Sequence, residues 1–106
     1  MLRFIELKLE EIQMIVMGAE VTLLIFDSYS LKEKRSTVKS ILHRTQNRHH
    51  LSTAEVEDWE LHNKTVLGFG VVGSNRLLCR QQIESALKDI EEQYEVEILN
   101  LEWIEA

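Results

Sequence analysis

Proline is absent from this sequence, cysteine occurs once and glycine four times. Without proline, and with glycine confined to Gly18, Gly68, Gly70 and Gly73, no stretch has the composition of a flexible linker or a low-complexity tract. No internal repeat is present. No apolar run approaches the roughly 18 to 20 residues of a membrane-spanning helix, so a helical membrane protein is excluded and no membrane partner is expected. Arg3, Glu6, Lys8, Glu10 and Glu11 break up the first residues, leaving no signal-peptide core. The single thiol, Cys79, has no partner for an internal disulfide, and a reducing cytoplasmic setting is expected. An excess of positive charge is also missing. Twelve Lys and Arg stand against eighteen Asp and Glu, for a formal net charge of -6. That balance is unlike a dedicated nucleic-acid binder.

The 106 residues allow one hydrophobic core, and the apolar period shows how it is built. From Ile15 to Ile25 every second residue is apolar (Ile15, Met17, Ala19, Val21, Leu23, Ile25), the mark of a strand with one buried face. Ser30 followed by Glu33 has the spacing of a capping box. Leu31, Val38, Ile41, Leu42 and Thr45 then fall on one stripe of a helix predicted from Leu31 to about Gln46. A short strand follows at Leu51 to Glu57, with Ser52, Ala54 and Val56 expected to point inward. Asp58 to Asn63 reads as a polar loop, and Lys64 to Val72 as a third strand. Gly73-Ser74-Asn75 stops it and supplies the N-cap of a second helix ending near Glu92, with Cys79, Ile83, Ala86, Leu87 and Ile90 on its apolar stripe. Val96 to Ile104 alternates again as a last strand.

Strand, helix, strand, strand, helix, strand predicts an α+β domain of ferredoxin-like βαββαβ type. Right-handed crossovers interleave the two units into a four-stranded antiparallel sheet with both helices on one face. The domain covers residues 14–106. Residues 1–13 form an N-terminal extension outside this plan. Two readings are open for it: an extra strand or strand extension, since Ile5, Leu7 and Leu9 alternate with charged residues, or a mis-assigned start preceding Met14 or Met17.

Ser30-Leu31-Lys32-Glu33-Lys34-Arg35-Ser36 with Val38-Lys39-Ser40, Met14-Ile15-Val16, Ala54-Glu55-Val56 and Val71-Val72-Gly73-Ser74 resemble the YlxP-like family of small bacterial proteins (domain of unknown function 503). The resemblance spans roughly Met14 to Glu105. It implies a ferredoxin-like fold, in agreement with the periodicity, and a setting among translation and ribosome-maturation proteins. It implies no catalytic residues, and the loop Asp58 to Asn63 departs from the family pattern.

The charge is unevenly spread. Lys32, Lys34, Arg35, Lys39, Arg44 and Arg48 meet only Glu33 within residues 32–48, a local balance of +5, which leaves -11 on the rest of the chain. Lys32, Arg35 and Lys39, continued by His43 and Gln46, line one helix flank, with Arg44 and Arg48 on the other. These five cations are the candidate nucleic-acid-binding residues, with RNA or a ribosomal particle as the partner. The competing reading is a solvated helix paired with the acidic second helix, Glu84, Asp89, Glu91 and Glu92. Gly68-Phe69-Gly70-Val71-Val72 partly resembles the base-stacking strand of RNA-recognition domains, but the second aromatic of that motif is Val71 here.

Gly73-Ser74-Asn75 lacks the spacing of a phosphate loop. His43, His49, His50, His62 and Cys79 form no paired metal-ligand spacing. Neither a cofactor nor a metal is expected, and Asp58, Glu60 and His62 offer acid–base groups without a nucleophile. The reading is a non-enzymatic binding module. On the uncovered sheet face, Val16, Leu24 and Phe26 are the interface candidates, with Val96 and Ile98 expected outside as well. Such an apolar face favours the alternative function, a homodimeric protein–protein interaction module that binds no nucleic acid.

Overall fold

Six elements follow one another in the computed structural model, which describes residues 13–58 and 60–106. They are β1 (Ile15–Ile25), α1 (Leu31–His49), β2 (Ser52–Glu57), β3 (Lys64–Gly73), α2 (Arg76–Gln93) and β4 (Val96–Glu105). The sheet order is β2-β3-β1-β4, with every neighbouring pair antiparallel. The two strands that each precede a helix, β1 and β3, are therefore central. The expected ferredoxin-like order of strands and helices is thus the observed one. The reading of residues 1–13 as an extension lies outside the described residues, Gln13 apart.

Both helices cover one sheet face. Met17, Ala19, Val21, Leu23 and Ile25 of β1, with Leu67 and Phe69 of β3, meet Val38 and Ile41 of α1 and Cys79, Ile83, Ala86, Leu87 and Ile90 of α2 in one core. The two periods, two on the strands and 3.6 on the helices, place these residues inward before any contact forms. Phe69 is buried there, opposite Ala19, so it is a core residue and offers no base-stacking surface on the open face.

Local chemistry sets the helix ends. The Ser30 hydroxyl accepts the backbone N–H of Glu33 at 3.1 Å. The Glu33 carboxylate reaches one residue further back than in a capping box and accepts the N–H of Tyr29 at 2.7 Å. Helix α1 runs to His49, a turn beyond the expected Gln46. His50 then adopts the left-handed conformation (φ 56°) and returns its N–H to the Gln46 carbonyl. Asn75 caps α2 by accepting the Leu78 N–H at 3.0 Å.

Two face assignments differ from expectation. In β2, Thr53 and Glu55 stand opposite the inward Phe69 and Leu67, while Ser52 and Ala54 stand opposite Gly70 and Gly68 on the open face. The inward set is thus Thr53 and Glu55, not Ser52, Ala54 and Val56, because a buried cation from α1 draws Glu55 in. In β4, Thr22 pairs with Asn100 but Leu23 with Ile98, so Leu99 is an extra residue in the ladder. That bulge switches the alternation between Ile98 and Leu101. Val96 and Ile98 therefore pack on the core together with Leu101 and Trp103, while Leu99 and Ile104 are the exposed apolar residues of β4.

Candidate functional site

The candidate cations of α1 divide by what they touch. Arg44 grips Asp89 of α2 with two parallel hydrogen bonds, Nε to Oδ2 at 2.8 Å and Nη2 to Oδ1 at 3.0 Å. His49 Nε2 lies 3.1 Å from the same carboxylate. The Arg44 contacts hold the Asp89 carboxyl below its ordinary value, and His49 adds to the effect. Arg44 therefore ties the helices together and is withdrawn from the proposed site.

Every remaining candidate is exposed: Lys32, Arg35, Lys39 and Arg48. Elsewhere cations hold carboxylates: Lys34 with Glu55, Lys64 with Asp58, Arg76 with Glu105 and Arg80 with Glu84. Among the described residues Lys32, Arg35, Lys39, Arg48 and Lys88 hold none, and all but Lys88 stand on α1. Lys32, Arg35 and Lys39 share a flank, about 10 Å from first to last along the axis. Ser40, whose hydroxyl lies 2.7 Å from the Tyr94 hydroxyl, and Arg44 mark the flank turned to α2 and its strand connection.

Sequence reasoning missed Lys34. Its side chain has no solvent exposure, and its ammonium lies 2.8 Å from the Glu55 carboxylate. It also donates to the backbone carbonyl of Asp58 at 2.5 Å. Thr65 donates its hydroxyl to the same Glu55 carboxylate. The signal was present: Lys34, Val38, Ile41 and Thr45 follow the spacing of one helix face, and all four are buried. A lysine on that stripe reads as a flank charge until a carboxylate is known to face it.

The loop between β2 and β3 is held by main-chain groups. The Asp58 carbonyl accepts a hydrogen bond from the Lys34 ammonium, the His62 carbonyl accepts one from the Ser28 hydroxyl at 2.5 Å, and Asp58 itself sits at φ 64°. Among the described residues no group of three His, Cys, Asp or Glu side chains is placed to hold a metal ion, and no helix is long and apolar enough to cross a membrane.

The interface candidates Val16 and Leu24 lie on the open face, opposite Val72 and Lys64, and Phe26 is exposed just beyond the end of β1. Leu24 is half-buried. The larger apolar exposure on that face belongs to Val72 (64%) and Ile104 (49%), against 37% for Val16.

An antiparallel sheet of order β2-β3-β1-β4 with two helices on one side is a ferredoxin-like α+β fold. Residues 16–103 match the family described as "Protein of unknown function (DUF503)", and the chain belongs to that family. It is 34% identical over 87 residues to the uncharacterised protein YlxP of Bacillus subtilis (strain 168), covering 80% of this chain and 95% of that one. A solved structure described as protein YJCS superposes with a TM-score of 0.54 at 14% identity, over 84% of this chain and 96% of that chain. That likeness concerns the fold alone.

Proposed function

We propose that this chain is a non-enzymatic binding module of the cytoplasm that engages RNA through the outward flank of α1. The translation setting implied by the family resemblance makes ribosomal RNA the first substrate to test. The observation that supports it is the grouping of cations on that flank: Lys32, Arg35 and Lys39 stand exposed with no carboxylate partner among the described residues, and Arg48 adds a further one near the end of the helix. On a chain of net charge -6, general attraction to polyanions is weak, so binding depends on that local cluster.

Each phosphate contact to a single strand steepens the fall of affinity with salt by about 0.7 in the logarithmic slope. Labelled ribosomal RNA titrated at two ionic strengths is expected to bind more weakly at the higher. The triple variant Lys32→Ala, Arg35→Ala, Lys39→Ala is expected to flatten the slope by about 2. No retention by the wild type at low salt overturns the reading.

A second reading, a homodimer without nucleic-acid binding, is favoured by the exposed Val72, Ile104 and Val16 on the open face. Light scattering across a concentration series decides it. A constant monomer mass removes the homodimer, and a stable dimer that retains no RNA replaces the first reading.

A further inference from the structure

We propose that the open face of the sheet is a docking surface for a lysine- or arginine-bearing apolar segment of another polypeptide. The surface begins as a strip of small residues on β2 and β3 that meets larger ones on β1 and β4. Ser52, Gly70, Gly18 and Ile104 follow one another across the four strands, and the next row is Ala54, Gly68, Glu20 and Glu102. A trough of about 300 Å³ runs there, floored by Gly68 and Ala54 and walled by Val56 and Ile104. Gly68 is needed for its shape: a Cβ at that position would lie 3.1 Å from Val56 Cγ1. Val72 and Ile104 extend the apolar surface toward one end of the sheet, where they stand half or more exposed.

Charge selects the occupant of this apolar trough. Glu20 and Glu102 stand directly opposite each other on β1 and β4, both exposed. Like charges in that relation weaken a sheet. Among the described residues neither has a cationic partner; the amide of Asn100 approaches Glu102 at 3.5 Å. Lys64, the cation of this face, holds Asp58 at 3.8 Å. A visiting ammonium or guanidinium between the two carboxylates removes the repulsion, while its apolar neighbours fill the trough. The other occupants fit worse. A second copy stacked face to face brings two acidic patches together, and a nucleic acid meets the same repulsion. Residues 1–12 carry Arg3 and Lys8 against Glu6, Glu10 and Glu11, so they bring no net positive charge. The surface lies on the side of the sheet away from α1, so this inference stands apart from the RNA reading.

The test uses the ¹⁵N-labelled full chain titrated with a synthetic peptide of alternating lysine and leucine. Three of the four glycine amides, Gly18, Gly68 and Gly70, report from the trough rows. They are expected to shift saturably, less at high salt, and to stay still with alternating glutamate–leucine or lysine–serine peptides. The double variant Glu20→Gln, Glu102→Gln removes a repulsion, so it is expected to melt no lower than the wild type. It is expected to bind the lysine–leucine peptide roughly fivefold more weakly. Unmoved glycines, undiminished affinity in the double variant, or shifts centred on Glu84, Glu91 and Glu92 of α2 overturn the proposal. Glycine shifts that follow protein concentration without peptide overturn it in favour of a second copy.

Discussion

The ammonium of Lys34 lies 2.8 Å from the carboxylate of Glu55, and the lysine side chain is wholly enclosed. One contact joins the first turn of α1 to an edge strand 21 residues later and, through the Asp58 carbonyl, to the loop that follows. Removing an enclosed ammonium from water costs several kcal/mol, which the ion pair and its hydrogen bonds must offset. The arrangement acts as a clamp whose members depend on each other.

Breaking the clamp on one side is therefore expected to cost more than removing it. Lys34→Met takes the enclosed Lys34 ammonium away from the Glu55 carboxylate and the Asp58 carbonyl and is expected to lose about 3–5 kcal/mol. The double variant Lys34→Met, Glu55→Leu is expected to recover most of that. Urea unfolding of the wild type, Lys34→Met, Glu55→Leu and the double variant gives the coupling; a loss below about 1 kcal/mol for Lys34→Met contradicts the clamp.

Asp89 sets a pH dependence. Its carboxyl is held below its ordinary value of 3.8, first by the Arg44 hydrogen bonds. A lowered folded value means that its stabilising contribution is complete above the unfolded value and is lost as pH falls through the folded one. Thermal melts are expected to show Asp89→Asn less stable than wild type near neutrality, with the gap closing below about pH 4. A gap that stays constant with pH refutes this.

Gly73 has no room for a methyl group. A Cβ there would sit 2.6 Å from the sulfur of the buried Cys79. Gly73→Ala is expected to cost about 1–3 kcal/mol through overpacking. Adding Cys79→Ala is expected to return part of that cost, so the double variant should be more stable than the sum of the singles predicts. Additive losses in denaturant melts would place the strain elsewhere.

Arg44 and Lys39 stand on the same helix, yet opposite outcomes are expected for them. Arg44→Ala is expected to lower the melting temperature, because it leaves Asp89 without its main partner. It should change RNA retention less than Lys39→Ala does. Lys39→Ala is expected to leave the melting temperature within about 0.5 kcal/mol of wild type in stability terms, as for an exposed unpaired residue. Parallel melts and filter-binding assays separate the two.

Ser30→Ala is expected to cost about 1 kcal/mol, because the Glu33 N–H then loses its acceptor at the start of α1. Amide hydrogen exchange should localise the effect to the first turn, whereas uniform loss of protection would mean that the cap supports more than the helix end.

Much of the fold was legible because it is written in local periods. The alternation in Ile15–Ile25 and the 3.6-residue stripe from Cys79 to Ile90 name their buried faces from neighbours a few residues away. The candidate site was legible only in part. Lys32, Arg35 and Lys39 stand exposed as their spacing implied, but the fate of Arg44 depends on Asp89, 45 residues on. Lys34 and Glu55 looked like surface charges, and Thr53 and Glu55 like the outward side of a half-apolar strand. Nothing local distinguishes a lysine facing a carboxylate from one facing water.

By itself, then, the sequence determined the order of strands and helices, their caps and the ferredoxin-like class, since those follow from backbone geometry and short-range burial. Tertiary structure alone decided which charges are paired and which are left over. It also decided which face β2 turns inward and where the Leu99 bulge switches β4. Those outcomes rest on partners brought together by the chain's long-range closure, where pairing and desolvation compete at distances no local pattern records.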